Sequence, residues 1–139
     1  MKPIGHWLNR TDAALTRCMN EMLEESGLTR IAWQILNVIK DTPEISDAEV
    51  RSVLVTHADA PTLTAAVEAV LAGGWADRPA PGRLALTADG RRRLTEAAGR
   101  VAAFRDLSTA GISPEEYRTA VLVLERMTHN LETATGAGR

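Results

Sequence analysis

Cysteine is nearly absent: Cys18 stands alone in 139 residues. No disulfide can form within one chain and no zinc cluster can be assembled, so a reducing, cytoplasmic setting is expected. Long apolar runs are missing too. None reaches the roughly 20 residues that span a bilayer, and residues 1–7 carry no apolar stretch of the signal-peptide kind, so neither a membrane partner nor export is expected. Charge of one sign is also lacking, with 16 Lys and Arg against 18 Asp and Glu and a formal net charge of −2. That excludes the general basicity of a non-specific nucleic-acid coat, while leaving room for a basic patch on one face. His6, His57 and His129 have no metal-ligand spacing. Neither a glycine-rich phosphate loop nor a nucleophile elbow occurs. The expectation is no catalytic residue, no metal, no cofactor and no enzyme.

What remains is ordinary for a soluble globular chain: 45% hydrophobic and 24% charged residues, in a length that suits one domain, 1–139, with a real core. Only residues 133–139, rich in Gly, Ala and Thr, are expected to fray.

The apolar periodicity is helical over most of the chain. Ile4, Trp7, Leu8, Leu15, Cys18, Met19, Met22 and Leu23 form one stripe over residues 3–25, with Pro3 in the first turn and Gly27 as a stop. Thr29 caps a second helix reaching about Lys40, apolar nearly all round and therefore buried. Ser46 and Glu49 have capping-box spacing and open a short third helix. A turn over 55–58 leads to a fourth, starting near Asp59 or Pro61 and ending at Gly73-Gly74. Residues 75–78 and 83–86 read as two short strands around Pro79-Ala80-Pro81-Gly82, in which Pro-Gly predicts a type II turn. Thr87 and Asp89 start a fifth helix running to about Thr109. Ser113-Pro114-Glu115-Glu116 starts a sixth, carrying Tyr117, Ala120, Val121, Leu124, Met127 and Leu131.

A short helix, a turn, a helix and then a hairpin make a helix-turn-helix with a wing over residues 46–87. A helix fits the major groove, and a hairpin can straddle phosphates or probe the minor groove. At this point the chain resembles the MarR family of transcription regulators. The resemblance is carried by Leu28-Thr29-Arg30-Ile31-Ala32-Trp33-Gln34-Ile35-Leu36, by Gly74-Trp75 where that family has Gly-Leu, and by Leu86-Thr87-Ala88-Asp89-Gly90, like its Leu-Thr-x-x-Gly. The opening Pro3-Ile4-Gly5-His6-Trp7-Leu8 is similar to a subset from high-GC, actinobacterial-type bacteria. The implied fold class is mainly α with a small β-hairpin wing, six helices, joined as a homodimer. Residues 1–26 and 88–132 would be the dimerisation helices and 29–87 the winged lobe.

The implied partners are double-stranded DNA with a near-palindromic operator, a second copy of the chain, and a small aromatic or anionic effector. Ile4, Trp7, Leu8 and Leu15, with Tyr117, Val121, Leu124 and Leu131, form more apolar stripe than one small domain needs, and they are the candidate dimer interface. On the recognition helix, residues 61–72, the outward Thr62, Thr64 and Ala65 are the candidate DNA contacts, against the alternative of a plain solvated face. From Val55 to Asp77 there is no Lys or Arg, whereas Asp59, Glu68 and Asp77 are acidic. Phosphate neutralisation must therefore come from elsewhere. The family's Asp-x-Arg wing tip is replaced by the Pro-Ala-Pro-Gly segment, so Arg78 and Arg83 are the best substitutes, the alternative being that they keep a short hairpin edge solvated. Arg91 and Arg51 are further phosphate candidates; Arg92 or Arg93 are expected to pair with acids such as Glu96. His6, Trp7, Arg10 and Trp33 are the candidate ligand-binding residues, or else core and interface packing. One branch of the family senses peroxide through a cysteine; Cys18 sits on the apolar stripe and is read as a packing residue. A ligand-responsive repressor is one reading. A winged-helix dimer without DNA affinity, serving as a protein- or small-molecule-binding module, is the other.

Overall fold

In the computed structural model, residues 1–136 are described. The chain divides into two compact units, Met1–Ala102 and Ala103–Arg139. The first holds α1 (Ile4–Glu25), α2 (Arg30–Asp41), β1 (Ile45–Ser46), α3 (Asp47–Val53), α4 (Ala60–Ala72), β2 (Ala76–Asp77), β3 (Arg83–Leu86) and most of α5 (Ala88–Ser108). The second holds the end of α5 and α6 (Pro114–Gly136). The mainly helical winged architecture with six helices matches the expectation.

Local signals explain the boundaries. Pro3 lies just outside α1 as its N-cap residue, one position earlier than the first-turn role expected of it. The Thr29 hydroxyl accepts the Ala32 N–H at 3.2 Å. Ser46 and Glu49 form the reciprocal capping box, satisfying two donors that the start of α3 would otherwise leave open. Ser113 and Glu116 repeat the arrangement before α6. Asp59, not Pro61, caps α4, with its carboxylate accepting the Thr62 N–H at 2.8 Å. The helical course of α6 extends to Gly136, past the expected fraying point at Thr133; residues 137–139 of that tail lie outside the described residues.

The second wing strand, Arg83–Leu86, has the expected bounds, while the first is shorter than the periodicity suggests. Trp75 and Arg78 flank β2 instead of belonging to it. A third strand, β1, was not anticipated: Ile45 and Ser46 pair antiparallel with Leu84 and Arg83, giving the order β1-β3-β2. Two residues are too few to show alternation. They are placed by the tight turn before them, in which the Ile45 N–H reaches the Thr42 carbonyl at 3.2 Å and Glu44 sits at φ 55. The hairpin turn follows its dipeptide: Gly82 has φ 73 and the Arg83 N–H bonds the Ala80 carbonyl at 3.0 Å, as a type II turn with Pro81 and Gly82 at its centre requires.

One core joins α2, α4 and the sheet. Ile35, Leu36, Val50 and Leu84 are fully buried in it, with Leu23 of α1 and Leu94, Ala97 and Val101 of α5. Among the described residues no polar or charged side chain is buried, so the core carries no desolvation cost of that kind. The junction between the wing and α5 is close-packed. Thr87 donates its hydroxyl to the Gly74 carbonyl at 2.7 Å and accepts the Gly90 N–H at 2.8 Å. A Cβ on Gly90 would fall 1.9 Å from the Trp75 carbonyl oxygen. The Leu-Thr-x-x-Gly segment thus has a physical reason: a cap, a cross-link and a close backbone approach.

Candidate nucleic-acid interface

The recognition helix α4 turns Leu63, Ala66, Val67 and Val70 into the core and leaves Thr62, Thr64, Ala65 and Glu68 exposed. The three outward contacts expected from the sequence are therefore on the solvent side. Thr62, through its hydroxyl and then its backbone N–H, holds the Asp59 carboxyl below the ordinary carboxylate range. An ionised acid therefore sits at the helix start, where a phosphate would otherwise be favoured. The stretch from Val55 to Asp77 lacks Asn and Gln as well as Lys and Arg. None of the bidentate base readers is available on α4; methyl groups, two threonine hydroxyls and the Glu68 carboxylate remain.

The wing arginines are present but engaged. Arg78 forms a two-pronged pair with Asp47 at the start of α3, with Nη1 to Oδ1 at 2.8 Å and Nη2 to Oδ2 at 3.1 Å. Its Nη1 also reaches the Arg83 carbonyl at 3.4 Å. Arg83 donates to the Glu44 carbonyl at 3.3 Å and lies 3.6 Å from Glu49. The Arg78 hydrogen bonds are the main cause of a lowered Asp47 pKa, helped by the charges of Arg78 and Arg51 and opposed by partial burial. Arg78 is raised in turn, first by its bond to Asp47, and the charges of Asp47 and Glu68 act in the same direction. A small cleft where α3, α4 and the wing meet is lined by Asp47, Arg51, Thr64, Glu68 and Arg78.

Among the described residues the side chains of Arg51 and Arg91 have no hydrogen-bond or ion-pair partner, and both residues are exposed. Arg92 and Arg93 of α5 have acidic partners, as expected. Arg92 bonds Asp89 and Glu96. Arg93 takes a role the sequence did not suggest: its guanidinium stacks 3.8 Å from the centre of the Trp75 ring, bonds the Gly73 carbonyl at 3.0 Å and lies 3.7 Å from Asp89. It closes the C-terminus of α4.

Sequence reasoning missed Asp47, Glu49 and Glu44 as partners of the wing. Ser46-x-x-Glu49 was legible only as a helix start; its second use, bringing Glu49 to Arg83, depends on the unanticipated β1–β3 pairing.

The ligand candidates are only partly brought together. His6 and Trp7 meet edge to face with ring centroids 5.0 Å apart on α1, where Arg10 is exposed. Trp33 packs against the core cluster from α2. Cys18 is half-buried. The dimer candidates form two exposed apolar faces. One, on α1, comprises Ile4, Trp7, Leu8 and Leu15; the other, on α6, comprises Tyr117, Val121 and Leu131, with Leu124 half-buried. Among the described residues no group of three or more His, Cys, Asp or Glu is placed to hold a metal, and no helix is long and apolar enough to cross a membrane.

This geometry recurs in solved structures. The reduced form of MarR from E. coli superposes with a TM-score of 0.73 at 21% identity, covering 91% of this chain and 94% of that one. The fold is that of the MarR family. A Mycobacterium tuberculosis MarR-family protein, solved in complex with DNA, gives a TM-score of 0.73 at 24% identity over 91% of this chain and 98% of its own. The transcriptional repressor CouR, bound to p-coumaroyl-CoA, gives 0.74 at 21% identity over 91% of each chain. No protein-family model and no curated protein matches the sequence. The MarR fold is therefore held here by a sequence only 21–24% identical to these three neighbours.

Proposed function

We propose that this protein is a homodimeric DNA-binding transcription regulator of the MarR type, acting in the cytoplasm as a ligand-responsive repressor. The observation that carries the reading is the outward, unpacked face of α4 beside a hairpin wing, in a fold shared with regulators of which one was solved on DNA. The apolar faces of α1 and α6 support a second copy as their cover, because exposed patches of this kind mark interaction surfaces. A two-fold dimer sets two recognition helices about one DNA turn apart and prefers a near-palindrome. Arg51 and Arg91, unpaired and exposed, supply the first phosphate contacts, with Arg78 and Arg83 joining from the wing; Thr62, Thr64 and Ala65 face the bases. An aromatic or anionic effector near His6, Trp7, Arg10 and Trp33 releases DNA by binding the DNA-incompetent dimer more tightly.

The test is retention on DNA from its own promoter across a salt series. Affinity should fall linearly in log–log form, and Arg51→Ala and Arg91→Ala should each lower it and flatten the slope by about one.

A second reading, a winged-helix dimer that no longer binds DNA and serves as an interaction module, draws on one specific observation: α4 lacks every basic residue and both wing arginines are paired within the chain. Absence of retention even at low salt would establish it in place of the first.

A further inference from the structure

The wing arginines already have anionic partners, and those partners sit on the element that precedes the recognition helix. Asp47 is the first residue of α3, where a helix start stabilises a negative charge without help from Arg78. Arg78 nevertheless gives it both terminal nitrogens, at 2.8 and 3.1 Å, on an open surface where the two side chains are 37% and 29% exposed. Glu49, one turn in, faces Arg83. In the cleft beside them the carboxylates of Asp47 and Glu68 share the lining with Arg51 and Arg78. The junction therefore offers an approaching phosphate two carboxylates alongside its guanidinium groups.

We propose that Asp47 is an internal competitor for DNA phosphate: with Glu49 beside it, it holds the wing arginines in intramolecular pairs that must open when the lobe engages a duplex. The proposal rests on the DNA-binding reading above. It makes α3 the element that sets wing affinity. An exposed pair of this kind contributes little to stability, so a phosphate can displace it. Opening it costs part of what each new arginine–phosphate contact gains, which leaves the protein a weak binder except where α4 finds its own sequence. Removing the competitor should raise affinity for any duplex, and the increase should run through Arg78.

The probe is a random-sequence duplex pool, titrated by fluorescence anisotropy against the full-length protein at low salt and then along a salt series. Asp47→Asn should bind about five- to tenfold tighter, with a salt slope steeper by about one, because one more phosphate is neutralised. Arg78→Gln alone should change affinity less than about threefold, and Asp47→Asn in the Arg78→Gln background should bind no better than Arg78→Gln itself. Glu49→Gln, which retains a side chain able to close the capping box, should give a smaller increase in the same direction and provides a second route if Asp47→Asn folds poorly. An Asp47→Asn increase that survives in the Arg78→Gln background would be a general charge effect and would overturn the proposal, as would no increase in a wild-type protein that binds. If neither the wild type nor Asp47→Asn is retained at low salt, the DNA-binding reading itself fails, and the competitor with it.

Discussion

Helices α2 and α6 put their apolar residues to opposite uses. In α2, Ala32, Ile35, Leu36 and Ile39 are buried within a single chain, and Ile31, Trp33 and Val38 lean on the same core. In α6 no described side chain is fully buried, and Tyr117, Val121 and Leu131 are 56%, 44% and 64% exposed. Hydrophobic burial fixes α2 in the core, whereas the apolar residues of α6 named here stay largely exposed. The lesson is that a regular apolar period identifies a helix without identifying what covers it.

The sharpest way to break the comparison is to charge the open face. Val121→Asp with Leu131→Asp should abolish self-association, lowering the molecular mass in sedimentation from two chains to one. If the wild type already sediments as one chain, α6 needs no partner and the contrast dissolves. Next comes the closed face. Ile35→Ala removes a fully buried side chain and should destabilise the fold by about 2–5 kcal/mol in urea unfolding. The same truncation at Val121 should have its effect on association, visible as a concentration-dependent melting temperature. Equal, concentration-independent losses at the two sites would mean that both faces are packed within one chain. A smaller effect tests the seam between wing and α5. Gly90→Ala forces a methyl against the Trp75 carbonyl oxygen and should cost about 1–3 kcal/mol, with the near-ultraviolet signal of Trp75 altered.

The same contrast explains how much could be read in advance. Helix starts were legible because caps are local: Thr29, Ser46 with Glu49, and Ser113 with Glu116 each act within three residues. The wing turn was legible because Pro81-Gly82 fixes it. β1 was not, because Ile45 and Ser46 make a strand only through Leu84 and Arg83, nearly 40 residues away, and no period shows in two residues. The outward positions of α4 followed from its helical period. The state of the wing arginines did not: the Arg78–Asp47 pair spans 31 positions and joins two elements whose meeting depends on that hidden strand. Arg93 was read only as a partner for nearby acids, whereas its stacking on Trp75 and its bond to the Gly73 carbonyl also make it an end-cap for α4. Local chemistry was visible, and the long-range pairing that redirects it was not.

The last expected effect is the smallest, and it separates stability from affinity at one residue. Asp47 is held below its ordinary pKa by Arg78, so the folded state favours its ionised form. Its contribution to stability is then complete above the unfolded carboxylate value of about 3.9 and fades as pH falls through the lower folded value. Thermal melts of the wild type and Asp47→Asn should therefore differ near neutral pH, with the wild type higher, and converge below about pH 4. Asp59 and Glu116 are lowered as well, but both proteins keep them, so the difference between the two curves isolates Asp47. A gap that persists unchanged into acid would show that Asn is simply a worse first residue for α3. A gap that closes, in a variant that binds duplex more tightly at neutral pH, would mean that the pair stabilises the wing slightly while holding it back from DNA.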